Sequence, residues 1–319
     1  MSSAHTGEQP ARSLQVALTG ATGFIGRALC RGLTAGGQRV HALVRPHSPN
    51  RHRLPPGVEQ HTVALDDRAG LTAALAGVDA VIYSAGSVRG VDADSFRPAN
   101  VDGVTALTAA CAAMPAAPRV LLISSLAATR PTLSDYAWSK AQGEHALRQH
   151  DGLDWTILRP PAVYGPGDVE MRPLLQGMRA GLALRVGPRG QRLSLLHVDD
   201  LTSAVLAWLA ARAACRHQVY AIDDGHSGGY SWPELASAAR GTRPVLNLAV
   251  PRGLLAAVAR LNLARARLCG GRPPMLTPGK VRELSEPDWL CDNSPFTAAI
   301  GWVPRICLTV GIRGTFEGE

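Results

Sequence analysis

Residues 19–26 read TGATGFIG, and this octapeptide decides the fold. Its glycines stand at the spacing of a phosphate-binding turn: the first permits a tight turn, the second lets backbone approach a pyrophosphate, and the third lets a helix pack on a strand. The apolar run LQVALT precedes the loop, and a helical stretch follows it as far as residue 36. We therefore expect the loop to hold the pyrophosphate of a nucleotide, with contacts from Gly20, Thr22, Gly23, Phe24, Ile25 and Gly26.

The strand, turn and helix around this loop form the first of several such units. Short apolar runs alternate with helical stretches up to residue 160, which predicts an α/β fold with a parallel sheet covered on both faces. Beyond that point the elements become shorter. We therefore expect a dinucleotide-binding domain over residues 12–165 and a smaller, mainly substrate-binding lobe over 166–319, with some return to the sheet. The predicted strands span residues 14–19, 39–45, 58–65, 79–86, 119–125 and 154–160, with later ones near 193–198 and 217–222.

The end of the second predicted strand bears on which dinucleotide binds. A carboxylate there would accept from the ribose 2′-hydroxyl of NAD, whereas an arginine suits the 2′-phosphate of NADP. The strand ends in ALVRPHS, which supplies Arg45 and no carboxylate. NADP is therefore favoured over NAD, and the alternative for Arg45 is an ordinary surface arginine. Asp66 is either an acceptor for the adenine amino group or the N-cap of a helix over 68–76.

The stretch SDYAWSKAQGEHAL at 134–147 contains Lys140, which with Lys280 makes up all the lysine in the chain. Residues four apart share one face of a helix, so Tyr136 and Lys140 point the same way. A phenol with a pKa of about 10 is a poor base at neutral pH, and a nearby ammonium favours the phenolate. A lysine amine also reaches the ribose hydroxyls of a cofactor. The pair predicts an acid/base centre.

Two serines end the predicted strand RVLLISS at the same edge of the sheet. Ser124 and Ser125 precede Tyr136 by twelve and eleven residues. A hydroxyl there can donate a hydrogen bond to a carbonyl oxygen while the tyrosine transfers the proton. The alternative is that these serines only satisfy backbone groups at the strand end.

Taken together, TGATGFIG, YSAG, LLISS, YAWSK, LRPPAVYGPGD and HVDDL resemble the extended and atypical short-chain dehydrogenase/reductases, the NAD(P)-dependent epimerase/dehydratase family. The resemblance implies a Rossmann-type doubly wound parallel sheet. It also implies a catalytic set of Ser125, Tyr136 and Lys140, in which the lysine lowers the tyrosine pKa and holds the ribose. Further cofactor contacts implied by the matching motifs come from Ser84, Ala85, Gly86, Asn100, Pro160 and Val163.

Three functions stay open on the sequence. We prefer an NAD(P)-dependent oxidoreductase, which moves a hydride between a nicotinamide and a carbonyl or hydroxyl carbon, because the chain shows no clear uracil- or diphosphate-binding signal. A nucleotide-sugar epimerase is the second, although the short spacing from Ser125 to Tyr136 leaves out an insertion that carries substrate contacts in many epimerases of the family. A non-catalytic NADP-binding subunit or sensor is the third, although such relatives typically lose the tyrosine or the lysine.

The composition and charge of the chain limit the classes of molecule that it is expected to bind. The formal charge of +8 comes from scattered arginines without a long basic run, so a small-molecule substrate is expected and nucleic acid is not. Six separated cysteines form no CxxC pair, which predicts reduced thiols, no metal and a cytoplasmic location. The amphipathic basic stretch 251–268 is a packed helix, a wall for a lipophilic substrate or a membrane-surface helix. A homodimer is expected by analogy alone.

Overall fold

The computed structural model describes residues 13–269 and 271–317, without the side chains of residues 212 and 213. The strands are β1 (Gln15–Thr19), β2 (Arg39–Val44), β3 (Glu59–Thr62), β4 (Ala80–Tyr83), β5 (Arg119–Ile123), β6 (Trp155–Arg159), β7 (Ala162–Tyr164), β8 (Leu182–Arg185), β9 (Arg192–Leu193), β10 (Leu195–His197), β11 (Gln218–Ala221), β12 (Leu246–Ala249) and β13 (Asp288–Trp289). The helices are α1 (Phe24–Ala35), α2 (Arg68–Ala74), α3 (Gly103–Ala112), α4 (Asp135–Arg148), α5 (Arg172–Ala180), α6 (Val198–Ala210), α7 (Trp232–Arg240), α8 (Arg252–Cys269), α9 (Pro278–Leu284), α10 (Ser294–Ile300) and α11 (Leu308–Glu317).

Seven strands form one parallel sheet in the order β11-β6-β5-β4-β1-β2-β3. The chain runs outward from β1 to β3 on one side and from β4 to β6 on the other, so the order reverses between β1 and β4. The carboxyl ends at such a reversal leave a crevice, which is where open parallel sheets bind ligands. The sheet is therefore the predicted Rossmann-type doubly wound sheet, and the glycine loop after β1 lies at the crevice.

Apolar side chains cover both faces of the sheet. On one face α1 and α6 pack on the strands, and Trp208 of α6 is fully buried, with its indole Nε1 donating to Thr156 Oγ1 at 2.9 Å. On the other face α2, α3 and α4 cover the strands through Leu71, Leu107 and Leu147. Burial on both faces explains why the strands are continuous apolar runs rather than alternating ones.

The chain after β7 builds a third core, in which α5, α7 and α11 meet around Met178, Trp232 and Ile312. It also returns to the sheet, since α6 packs against α1 and β11 pairs with β6. The division of the chain at residue 165 stays a prediction. The strand predicted near 193–198 is interrupted: β9 pairs with β13 and β10 pairs with β7. Ser194 lies between the two strands and its hydroxyl donates to Asp223, and the next helix begins at Val198.

The helix predicted over 251–268 is α8, which has 18 residues. Only Ala259 of this helix is buried, and α8 contacts α9. Within residues 13–269 and 271–317, no helix combines the length and the apolar character needed to cross a bilayer.

Candidate active site

The glycine loop makes a tight turn between β1 and α1. Gly20 has a φ of +68°, and a Cβ placed there would lie 2.6 Å from the Ser84 carbonyl oxygen and from the Ala85 nitrogen. A Cβ on Gly26 would collide with the carbonyl oxygen of Gly20. Glycine is therefore required at both positions, because the loop passes against the end of β4 and α1 packs on the loop.

The N-terminus of α1 faces out of this loop without a protein cap. Gly23 precedes the helix, no side chain bonds to the first turn, and that turn holds no acidic residue. The backbone N–H groups of the first turn, which includes Phe24 and Ile25, and the positive end of the helix dipole suit an anion. Thr22 is anchored, since Arg27 Nη1 donates to its carbonyl oxygen at 2.9 Å and Ser48 Oγ donates to its Oγ1 at 3.2 Å. The loop thus fits a pyrophosphate.

The loop after β4 forms the opposite wall of the crevice. The N–H groups of Ser84 and Ala85 both donate to Thr19 Oγ1 at 3.1 Å, which ties the end of β4 to the end of β1. The Ser84 hydroxyl oxygen is buried and has no hydrogen-bond partner within the described residues. A buried polar atom costs free energy when it is unpaired, so this hydroxyl suits a bound ligand that completes its bonding. Gly86 follows and is exposed.

Asn100 is buried in a π-helical turn at Pro98–Asp102. Its side-chain amide donates to Ser87 O at 3.0 Å and to Ser139 Oγ at 2.9 Å, and its Oδ1 accepts from Ser87 N at 3.0 Å. These bonds join the loop after β4 to α4. In this structure Asn100 therefore shapes the crevice, and its hydrogen bonds go to protein groups.

A cleft of about 780 Å³ opens beside the ends of β2 and β3. Arg45 and His47 line one side, and Asp66 and Asp102 contribute carboxylates. The alternative for Asp66, a helix cap, does not apply because the neighbouring Asp67 caps α2 by accepting from Gly70 N at 2.9 Å. Asp66 is exposed in the cleft, so Arg45 and Asp66 are both available to an adenosine group.

The helix α4 carries the predicted acid/base pair, and Ser134 caps its N-terminus. Lys140 lies one turn along and is buried, with its Nζ donating to the carbonyl oxygen of Ile123 at 2.9 Å. Burial lowers the pKa of Lys140 to about 8, while Glu144 acts in the opposite direction. A Cβ placed on Gly86 would lie 3.9 Å from this Nζ, so the ammonium sits beside the crevice.

Tyr136 lines a pocket and is partly exposed to it. Burial raises the pKa of its phenol to about 12, a hydrogen bond with Ser125 lowers it, and the charge of Glu283 raises it. Lys140 is not among the causes of this pKa shift, so the lowering expected from its ammonium is not found here. The physical reason is that the Lys140 ammonium is directed at Ile123 and has itself lost affinity for its proton through burial.

The two serines at the end of β5 have different surroundings. Ser124 is buried and donates to Glu144 Oε1 at 2.6 Å, and the same carboxylate pairs with Arg159. Ser125 accepts from Ala127 N at 3.2 Å, and its hydroxyl acts to lower the pKa of the Tyr136 phenol. Ser124 therefore belongs to an internal ion-pair network, whereas Ser125 is close enough to Tyr136 to act on its pKa.

Sequence reasoning missed a second cluster beside Tyr136. The Lys280 ammonium on α9 lies 5.8 Å from the Tyr136 ring centre and donates to Glu283 Oε2 at 2.6 Å. Glu283 is buried and also accepts from the Ser134 hydroxyl. The rarity of lysine was the available signal, because both lysines of the chain flank this tyrosine.

The pocket at Tyr136 is a cavity of about 130 Å³ with apolar and charged walls. Phe96 stands against Tyr136 with ring centres 6.1 Å apart. Helix α8 and the segment after it contribute Leu263 and Met275, and the loop after β4 contributes Val88 and Val91.

The two remaining predicted cofactor contacts lie near the end of β6. Pro160 is buried, and its carbonyl oxygen accepts from Leu126 N at 2.8 Å, which ties the segment to the turn that follows Ser125. Val163 lies in β7 and packs on the core that contains β1 and α1. Both residues therefore adjoin elements of the site, while their contact with a cofactor stays a prediction.

Known proteins share the sequence pattern of this chain. The model of the NAD dependent epimerase/dehydratase family matches residues 16–222. A ceramide reductase from Caulobacter vibrioides is 35% identical over 291 residues, which cover 89% of this chain and 88% of the relative. A 2-alkyl-3-oxoalkanoate reductase from Stenotrophomonas maltophilia is 32% identical over 333 residues, which cover 94% of this chain and 98% of the relative.

Solved structures show the same fold. A putative epimerase from Burkholderia cenocepacia superposes with a TM-score of 0.72 at 22% identity, covering 95% of this chain and 97% of that one. A UDP-glucuronic acid 4-epimerase from Bacillus cereus superposes with a TM-score of 0.71 at 18% identity, covering 95% and 98%. Because the family model covers more than half of the chain and both curated relatives align over most of it, the chain belongs to the NAD dependent epimerase/dehydratase family of enzymes.

Proposed function

We propose that this chain is an NADPH-dependent reductase that converts a ketone on an alkyl-chain lipid into a secondary alcohol. The observation that carries the proposal is the position of the Tyr136 phenol in a pocket whose walls include Phe96, Leu263 and Met275, with Ser125 near enough to lower the phenol pKa. A phenol that stays protonated at neutral pH suits proton donation, which is the direction needed for reduction. The curated relatives support the substrate class, since one is a reductase of ceramide and the other of a 2-alkyl-3-oxoalkanoate.

The preference for NADPH within this NAD-dependent family rests on the cleft beside β2. Arg45 is the charged side chain at the strand end, and its guanidinium suits a 2′-phosphate through paired hydrogen bonds. Asp66 across the cleft can accept from the adenine amino group. Gly20, Gly23 and the first turn of α1 would hold the pyrophosphate, and Ser84 to Gly86 would line the adjoining ribose.

The bound dinucleotide supplies the hydride, and the protein side chains handle the proton. Ser125 donates a hydrogen bond to the ketone oxygen and orients it towards Tyr136. Tyr136 gives its proton to that oxygen as negative charge develops there. Lys140 holds the ribose hydroxyls, and its charge then stabilises the phenolate that remains, because proton loss leaves an anion beside an ammonium.

The test is oxidation of NADPH, followed by nicotinamide absorbance, with 3-oxo lipids of increasing alkyl length. We expect kcat/KM to rise by up to about fourfold for each added methylene until the apolar wall is covered. Tyr136→Phe should retain NADPH binding and lose turnover by orders of magnitude. Turnover that survives in Tyr136→Phe contradicts the proton-transfer role, and interconversion of UDP-sugars without net NADPH consumption would instead establish an epimerase.

A further inference from the structure

We propose that the face formed by β8, β12 and the outward side of α8 docks on an anionic lipid bilayer. We call this the docking face. Thirteen large apolar side chains are exposed among the described residues, and eight of them belong to these three elements. The eight are Leu182, Leu184, Leu246, Leu248, Leu254, Val258, Leu261 and Leu268. Exposed apolar clusters of this kind mark an interaction surface.

The strands β8 and β12 expose four leucines on one side of a two-stranded sheet. Leu246 pairs with Leu182, and Leu248 pairs with Leu184, in parallel register. Alternate residues of a strand share one face, so all four side chains point the same way. They are 39 to 61% exposed, whereas Ala183 on the other side of β8 is fully buried. Ala183 thus packs on the protein, whereas every residue of β12 is exposed, and the four leucines form a small apolar face with no cover from the described residues.

Helix α8 has two apolar sides rather than one. Ala259 and its helical neighbours, including Leu255 and Leu263, face the protein. Leu254, Val258, Leu261 and Leu268 follow at intervals of four, three and seven residues, which places them along one stripe of the opposite side. Leu261 is 70% and Leu268 is 86% exposed. A helix with a packed side and an outward leucine stripe is suited to lie flat in a bilayer interface.

The charge around this face fits an anionic surface. Residues 235–282 hold nine basic residues and no Asp or Glu, and residues 171–198 hold five basic residues and no Asp or Glu. Three of the arginines on α8, Arg252, Arg260 and Arg265, are exposed and form no ion pair within the described part of the chain. Acidic residues are thus excluded from the two segments that bear the exposed leucines. A bilayer with anionic head groups matches both the exposed leucines and the unpaired arginines, since it offers an apolar interior beneath a negatively charged surface.

Helix α8 also links this surface to the pocket at Tyr136. Its inward side contributes Leu263 and Arg267 to the pocket, and Arg267 Nη2 donates to Val91 O at 2.9 Å. A bilayer bound to the outward side of α8 would therefore lie one helix diameter from the proposed reaction site. This last step rests on the proposed lipid substrate, whereas docking itself does not.

The experiment is co-sedimentation of the full chain with vesicles of phosphatidylcholine and phosphatidylglycerol in equal parts, compared with phosphatidylcholine alone. We expect binding to the mixed vesicles that weakens with added salt. Arg252→Gln/Arg260→Gln/Arg265→Gln should reduce the partition coefficient roughly 100-fold, because each basic residue near an anionic surface contributes roughly fivefold. Leu254→Ser/Val258→Thr/Leu261→Ser should reduce it at least about tenfold.

A matched control is Val303→Thr/Val310→Thr, which removes two equally exposed apolar side chains outside the docking face and should bind vesicles as the wild type does. Unchanged thermal unfolding of each variant separates lost docking from lost folding. Absence of wild-type binding to mixed vesicles overturns the proposal. So does a stable dimer by light scattering that the leucine variant dissociates, since a second copy would then cover the face. Vesicle binding without any NADPH-dependent turnover would refute the proposed function and leave docking intact.

Discussion

Replacing Lys140 by methionine should stabilise the ligand-free protein while it abolishes turnover. Lys140 is only 7% exposed, and a pKa lowered from 10.5 to about 8 corresponds to about 3 kcal/mol against the charged form in the folded chain. The variant also loses the hydrogen bond to the Ile123 carbonyl, which destabilises it by about 1 kcal/mol. Lys140→Met should therefore raise the free energy of unfolding at pH 7 by about 2 kcal/mol.

The pH dependence follows from the direction of the shift. The pKa is lower in the folded chain, so the unfolded chain holds more protons between pH 8 and 10.5 and the wild type gains stability as pH rises through that window. The variant lacks this titrating group. Its free energy of unfolding therefore exceeds that of the wild type by the full amount below pH 8, and the difference disappears as the pH approaches 10.5. Urea unfolding of both proteins, without cofactor, at the two ends of this window measures the difference.

The other lysine is the matched control, and its replacement should have the opposite sign. Lys280→Met leaves the Glu283 carboxylate, which is 5% exposed, without its ammonium. We expect a loss of about 2 kcal/mol at pH 7, because an unpaired charge remains in the interior. A Lys140→Met protein that is less stable than the wild type at pH 7, or an advantage that is equally large at both pH values, refutes the reasoning.

Four further substitutions test other parts of the site. Arg45→Ala should weaken NADPH binding at least about tenfold and leave NADH binding unchanged, as measured by fluorescence titration. Equal losses of affinity for both cofactors would show that Arg45 does not bind the 2′-phosphate. Gly20→Ala should prevent cofactor binding and lower the melting temperature, because the added Cβ would lie 2.6 Å from the backbone of Ser84. A variant that binds the cofactor normally would be inconsistent with the turn described. Ser125→Ala should lower kcat about 100-fold with little effect on stability. Ser124→Ala should lower the free energy of unfolding by about 1–3 kcal/mol, because the buried Glu144 carboxylate loses a hydrogen-bond donor. The reverse pattern would exchange the roles of the two serines.

Local signals were sufficient for the sheet and for the conformation of the glycine loop after β1. The glycines at 20 and 26 are required by contacts that a strand–turn–helix unit always makes, and the apolar runs correspond to strands buried on both faces. The pairing of Tyr136 with Lys140 on one helix was predictable for the same reason, since helical spacing is local.

Long-range contacts account for what the sequence did not reveal. Lys280 and Glu283 lie far from Tyr136 in the chain and reach it only because α9 folds against the start of α4. The Tyr136 pKa is raised by burial, and the spacing of residues along the sequence does not reveal which side chains are buried. The break at Ser194 depends on Asp223, a partner nearly thirty residues away.

The placement of the two lysines has a practical consequence for chemical labelling. A reagent that acylates primary amines finds only two lysine side chains in this chain: Lys140 lies on the same helix as Tyr136, and Lys280 lies 5.8 Å from the Tyr136 ring centre. The ammonium of Lys140 loses its proton more readily than an ordinary lysine, which makes that amine the better nucleophile near neutral pH once a reagent reaches it. An amine-reactive resin or dye that reaches these two side chains is therefore expected to lower the proposed activity, whereas the exposed thiols of Cys269 and Cys307 offer a different chemistry for labelling.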